Sequence, residues 1–256
     1  MHAVSSSFAV AALLTVPALS FAPPASRSLL VTASRSFTRS SSTHRSLSSI
    51  ATARTALEES GVKGEFQRRD AAWRSWIGDN DSDFPPAKDR YHLYVAYACP
   101  WAHRTLITRA LKGLEDTISV TVVHPIWKKT KPEVDNHAGW VFGDATGATM
   151  TNSEGRGGPF PAAYPGNDPE PFFGAKSIRA LYDIAEDTDG KYTVPILWDK
   201  EKKTIVSNES SEIIQMLNSE FNDFATNPDL DLNPSDMLQA MKEVDDWIYP
   251  NINNGV

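Results

Sequence analysis

Tyr91-His92-Leu93-Tyr94-Val95-Ala96-Tyr97-Ala98-Cys99-Pro100-Trp101-Ala102-His103-Arg104 reads as an apolar strand running directly into the start of a helix. Pro100 fits the first helical position, where its missing amide breaks no hydrogen bond. Cys99, the single cysteine among the 256 residues, stands where unpaired first-turn amides and the positive end of the helix dipole stabilise a thiolate. A reactive thiol is therefore expected; the alternative is a buried structural cysteine, the ordinary fate of a lone one.

Outward from this junction, the strand spans Arg90 to Ala98 and the helix runs to about Lys112, with Ala102, Leu106, Ala110 and Leu111 on its buried face and Gly113 as its stop. A second strand follows at Ile118 to His124. Strand, helix, strand implies a right-handed crossover and a parallel pair, which puts Cys99 at the carboxyl edge of a sheet, where α/β folds bind ligands. Upstream, Phe66, Trp73, Trp76 and Ile77 are spaced as one face of a short helix. Downstream, Lys128 to Phe173 lacks periodicity and reads as an ordered excursion, its Gly155-Arg156-Gly157-Gly158 run a turn. A helix through Ile178, Leu181, Tyr182 and Ala185 then precedes an apolar strand from Tyr192 to Trp198 that carries Pro195 near its start. A hairpin leads to Thr204-Ile205-Val206, and Asn208-Glu209-Ser210-Ser211 cap a helix buried through Ile213, Met216 and Leu217. From Asn233 an amphipathic helix begins, bearing Met237, Leu238, Met241, Val244 and Ile248.

Residues 1–56 hold five Arg, no Lys and no acidic residue, with fourteen Ser in the first 50. Phe8 to Leu19 is an apolar run too short to span a bilayer. Signal-like and then transit-like composition predicts a bipartite leader and plastid delivery; plain secretion explains only the apolar run. Beyond the leader, 20 basic residues face 32 acidic ones. That balance argues against a nucleic-acid partner. A single cysteine excludes an internal disulfide and cysteine-based metal sites, and the six His show no metal-ligand spacing and read as surface or capping residues. With no second thiol to resolve an oxidised Cys99, a redox cycle needs a borrowed one, such as that of glutathione.

The order β, α, β, α, β, β, α, with a thiol at the first helix and a proline entering the third strand, resembles the thioredoxin-like plan. Three stretches narrow the resemblance: Cys99-Pro100-Trp101-Ala102-His103-Arg104, Thr193-Val194-Pro195-Ile196-Leu197-Trp198-Asp199-Lys200, and Asn208-Glu209-Ser210-Ser211-Glu212-Ile213-Ile214. Together with Trp247-Ile248-Tyr249-Pro250 and Asn253-Asn254-Gly255-Val256, they resemble the glutathionyl-hydroquinone reductases, the Xi-class glutathione transferases, from about Gly64 onward. The implied organisation is a leader (1–56), an N-terminal extension (57–89), a thioredoxin-like glutathione-binding domain (90–225) and the first helix of an all-α domain (233–256). That domain is expected to be truncated, unless its first helix packs back on the preceding one. A homodimer is expected where the helical domain is whole.

The resemblance implies site roles as well. Cys99 is the nucleophile, and Val194 beside Pro195, a proline usually cis in this fold, offers its backbone to the cysteinyl amide and carbonyl of glutathione. Glu209 takes the γ-glutamyl ammonium and Ser210 its carboxylate, although both residues also read as a plain helix cap. Trp140, in Gly139-Trp140-Val141-Phe142, fits the tryptophan that covers glutathione, with a core position as the alternative. Arg179 and Lys191 are the two candidates for the glycine carboxylate. The implied reaction reduces a quinone-derived glutathione conjugate with glutathione as co-substrate and no metal. An omega-type thioltransferase or dehydroascorbate reductase is the alternative enzyme, and a non-catalytic transferase-like module the alternative outside catalysis.

Overall fold

The computed structural model describes residues 70–78, 82–144 and 146–253. The leader expected over 1–56 lies outside them, as do Phe66 and the rest of 57–69. Strand β1 (Tyr91–Val95) leads into helix α1 (Pro100–Lys112) and strand β2 (Ser119–Val122). A small hairpin of β3 (Trp127–Lys129) and β4 (Ala138–Trp140) follows, then α2 (Ile178–Ile184), β5 (Ile196–Asp199), β6 (Thr204–Ser207), α3 (Ser210–Ser219) and α4 (Leu238–Ile248).

The main sheet has the order β2-β1-β5-β6. β1 pairs parallel with β2, as a crossover demands, and antiparallel with β5, which is itself antiparallel to β6. Every residue of β1 is buried. That explains its apolar composition without alternation, since both faces of this strand are covered. α1 packs on α3. Gly113 closes α1 in the left-handed conformation at φ 66°, and a Cβ there would lie 2.5 Å from the Cβ of Thr226, so both backbone and space require glycine.

Four expectations are corrected. The buried face of α1 is Ala102, Thr105, Thr108 and Lys112, whereas Leu111 and Ala110 are exposed. Two polar groups of this face find partners: Thr105 Oγ1 donates to Ala102 O at 2.7 Å within the helix, and Lys112 Nζ reaches Pro228 O and Leu230 O at 3.1 and 2.7 Å. Trp73 to Ile77 form no helix. Arg74 bridges Ser207, and Ser75 N–H donates to Val206 O at 2.9 Å, so this segment covers the β6 edge. β5 begins after Pro195, because the tertiary amide supplies no ladder donor.

The fourth correction concerns histidine: His92, His124 and His137 are buried rather than superficial. His92 lies between Ser119 Oγ (2.6 Å) and Thr121 Oγ1 (2.9 Å), and burial pushes its pKa down to about 3. Between that value and about 6.5, the unfolded chain binds a proton that the folded chain refuses, so stability is lost as pH falls through this window. Urea unfolding at pH 5 is expected to show about 2 kcal/mol less stability from this group than at pH 7.5, and His92→Gln should flatten the slope by that amount.

The excursion from Lys128 to Phe173 carries the β3–β4 hairpin and a small apolar cluster of Ile126, Val141 and Met150, with Phe160 against it. Glu170 pins its end to the core. The carboxylate accepts the Tyr94 hydroxyl at 2.7 Å and the amides of Phe172, Phe173 and Ala175 at 3.0, 2.7 and 3.1 Å. Such a set of donors satisfies a buried carboxylate. The Gly155 run does form a turn, with Gly155 N–H donating to Asn152 O.

Candidate active site

Cys99 is the N-cap of α1, half-buried, in an extended conformation at φ −95° and ψ 113°. Its carbonyl already accepts His103 N–H at 2.9 Å, so the backbone is committed to the helix while the side chain is not. The first-turn amides were expected to hold the sulfur, yet the side chain makes no capping bond. Instead Sγ donates to Val194 O at 3.7 Å, because the loop before β5 brings that carbonyl alongside the helix start. The Val194-Pro195 bond is cis.

α2 fixes this loop. The Tyr182 hydroxyl accepts Thr193 N–H at 3.3 Å and donates to Thr193 O at 3.1 Å, while Asn208 Nδ2 donates to the same hydroxyl at 2.8 Å. Burial pushes Tyr182 up to about 12, keeping it a neutral donor at physiological pH. Tyr182 and Asn208 thus lock the backbone on either side of the sheet end, although the sequence marked them only as core and cap.

At the start of α3, the Glu209 carboxylate accepts Ser211 N–H at 3.0 Å and Ser211 Oγ–H at 2.7 Å. Glu209 is therefore a helix cap, and it also lines the cavity described next. The two readings of this residue coexist. Ser210 Oγ accepts Arg104 Nε at 3.1 Å and Nη2 at 2.6 Å, joining α1 to α3.

A cavity of about 710 Å³ opens over these groups. It brings together Cys99, Trp140, Lys191, Val194, Pro195, Glu209 and Ser210. Arg179 is not among its lining residues. Its buried guanidinium forms a two-pronged pair with Asp135, Nη1 to Oδ1 at 2.8 Å and Nη2 to Oδ2 at 2.7 Å, and lies 5.2 Å from the Tyr192 ring centre. The Arg179 bond holds Asp135 well below the usual carboxylate range. Of the two basic candidates, Lys191 is the one at the cavity.

Among the lining residues that sequence reasoning did not assign to the site are Trp101, Arg104, Trp127 and Tyr249. Trp127 and Trp140 are cross-strand partners in the hairpin, edge to face at 5.5 Å. Their opposition across β3 and β4 was hidden by the eight residues, 130–137, that separate the two strands. Trp101 tilts against Tyr249 at 6.3 Å, which brings the segment after α4 to the same rim. The assembled site offers a thiol, a cis-proline backbone edge, a lysine, a carboxylate, a hydroxyl at a helix start and aromatic walls. That combination suits a small, zwitterionic, peptide-like thiol.

The family model for the glutathione S-transferase N-terminal domain matches residues 98–220. The glutathionyl-hydroquinone reductase YqjG of Escherichia coli is 39% identical over 210 residues, which cover 79% of this chain and 56% of that protein. The crystal structure of glutathione S-transferase Xi from Phanerochaete chrysosporium is 44% identical with a TM-score of 0.60, covering 74% of this chain and 56% of the other. A Xi glutathione transferase from Saccharomyces cerevisiae in complex with glutathione is 38% identical with a TM-score of 0.62, over 73% and 56% of the two chains. The chain thus spans little more than half the length of the relatives it matches.

Proposed function

We propose that this chain, which is similar to Xi-class glutathione transferases over little more than half of their length, reduces glutathionyl-hydroquinones to hydroquinones through a mixed disulfide between Cys99 and glutathione. The observation that carries the proposal is the single thiol, 3.7 Å from the Val194 carbonyl, in one cavity with Trp140, Lys191, Glu209 and Ser210.

The Cys99 thiolate attacks the sulfur of the conjugate. A sulfur–sulfur bond forms, the bond from sulfur to the aromatic carbon breaks, and that carbon keeps the electron pair and takes a proton. A second glutathione thiolate then attacks the mixed disulfide and releases oxidised glutathione and the Cys99 thiolate. The ring gains two electrons and the two glutathione sulfurs lose them, so the cycle closes without a resolving cysteine. Glutathione lies along the Val194 backbone. Its γ-glutamyl end rests at Glu209 and Ser210, its glycine carboxylate at Lys191, and Trp140 covers it. Lys191 gives the glycine end a point charge without the fork of an arginine.

Purified protein is expected to turn over glutathionyl-menadiol with glutathione, faster than hydroxyethyl disulfide or dehydroascorbate. Turnover of the last two alone would replace the hydroquinone reading by the omega-type one, which the name of an omega-like relative from Schizosaccharomyces pombe favours, at 38% identity over 56% of that protein. Plastid delivery is part of the proposal and is supported by the acid-free, Arg- and Ser-rich leader. Residues 1–56 fused to a fluorescent protein should enter the plastid of an alga with secondary plastids; secretion would overturn this.

A further inference from the structure

We propose that Arg104 is a positioning residue that turns the Ser210 hydroxyl into a fixed donor and so makes the γ-glutamyl subsite selective for a carboxylate; this rests on the glutathione reading of the cavity. A serine oxygen has two lone pairs and one proton. Both Arg104 Nε and Nη2 donate to it, at 3.1 and 2.6 Å. The lone pairs are therefore turned to the guanidinium, and the proton points away from it. Ser210 is also the first residue of α3, where the backbone N–H has no partner within the helix. A carboxylate arriving here meets two hydrogen-bond donors.

Charge makes the same point. Glu209 Oε1, which would repel an incoming carboxylate, lies 3.7 Å from Arg104 Nη2. The guanidinium offsets that charge on one side of the subsite and leaves Glu209 able to receive the neighbouring ammonium group. Arg104 is itself held over the Trp101 ring at 5.0 Å, which fixes the plane of the fork. A lysine at this position would keep the charge and lose the fork, so the hydroxyl would regain its rotation.

The test is a selectivity ratio that a merely structural role would not move. Dissociation constants are measured by calorimetry for S-methylglutathione and for its analogue lacking the α-carboxylate of the γ-glutamyl group. The proteins are the unmodified chain, Arg104→Gln, Arg104→Lys and Ser210→Ala, each checked by circular dichroism. The unmodified protein should prefer the carboxylated ligand by about tenfold or more, the scale of a charge-assisted hydrogen bond. Arg104→Gln should reduce that preference to about threefold or less, and Arg104→Lys should fall between them. If Arg104→Gln does not fold, Arg104→Lys and Ser210→Ala decide through their double variant. Strongly non-additive losses of preference support the inference, and additive ones overturn it. An Arg104→Gln protein that keeps the original ratio, or an unmodified protein that binds both ligands alike, overturns this inference alone. An unmodified protein that binds neither ligand overturns the glutathione reading with it.

Discussion

Cys99→Ser is expected to lower the turnover of glutathionyl-menadiol by about a thousandfold or more, because a hydroxyl is neither ionised at neutral pH nor able to form a reducible bond to sulfur. The fold should survive. Sγ makes one long hydrogen bond, to Val194 O at 3.7 Å, and the side chain is half-buried, so stability should change by about 1 kcal/mol or less. Binding of S-methylglutathione should be nearly preserved, which separates loss of the nucleophile from loss of the site. Steady-state rates, thermal melts and calorimetry on one preparation check all three, and a Cys99→Ser protein that still reduces the conjugate would end the mechanism.

The second large effect falls away from the thiol. Asp135→Ala should destabilise the protein by about 3–5 kcal/mol, since it leaves the buried Arg179 guanidinium without its two-pronged partner. Lys191→Ala should do the opposite kind of harm, weakening glutathione about tenfold with little change in the unfolding midpoint. Urea titrations and ligand titrations on the two variants separate these outcomes. The pair of results tells a buried structural cation from one that serves the cavity, and an Asp135→Ala protein of unchanged stability would remove the structural assignment of Arg179.

Where local chemistry decides, the sequence was readable. Pro100 after Cys99, Gly113 after Lys112 and the cap residues around Glu209 each name a helix end, and each end stands where its residue type requires. Cys99, Val194 and Ser210 come together because the strand order brings the ends of β1, β5 and β6 to one edge. Reading failed where an apolar pattern was shared by two solutions. Trp73 and Ile77 suit a helix face, but a sheet edge at β6 gave their backbone groups partners that a short helix lacks. On α1, counting apolar residues pointed to Leu111, whereas Thr105, which bonds its own helix, Thr108 and a lysine that reaches backbone carbonyls occupy the buried side. Arg179 and Arg104 are indistinguishable by composition. Only the position of Asp135, near the start of the excursion, sends one to the interior, and only the packing of α1 on α3 brings the other to Ser210.

Sulfur chemistry at Cys99 decides the proposed reaction, and intact-mass spectrometry reads it directly because the chain has a single cysteine. Mixed with glutathionyl-menadiol and no free glutathione, the protein should gain one glutathionyl group at Cys99 and release one equivalent of menadiol; adding glutathione should then restore the original mass and yield oxidised glutathione. Release of menadiol in repeated turnovers while Cys99 never carries glutathione would contradict it.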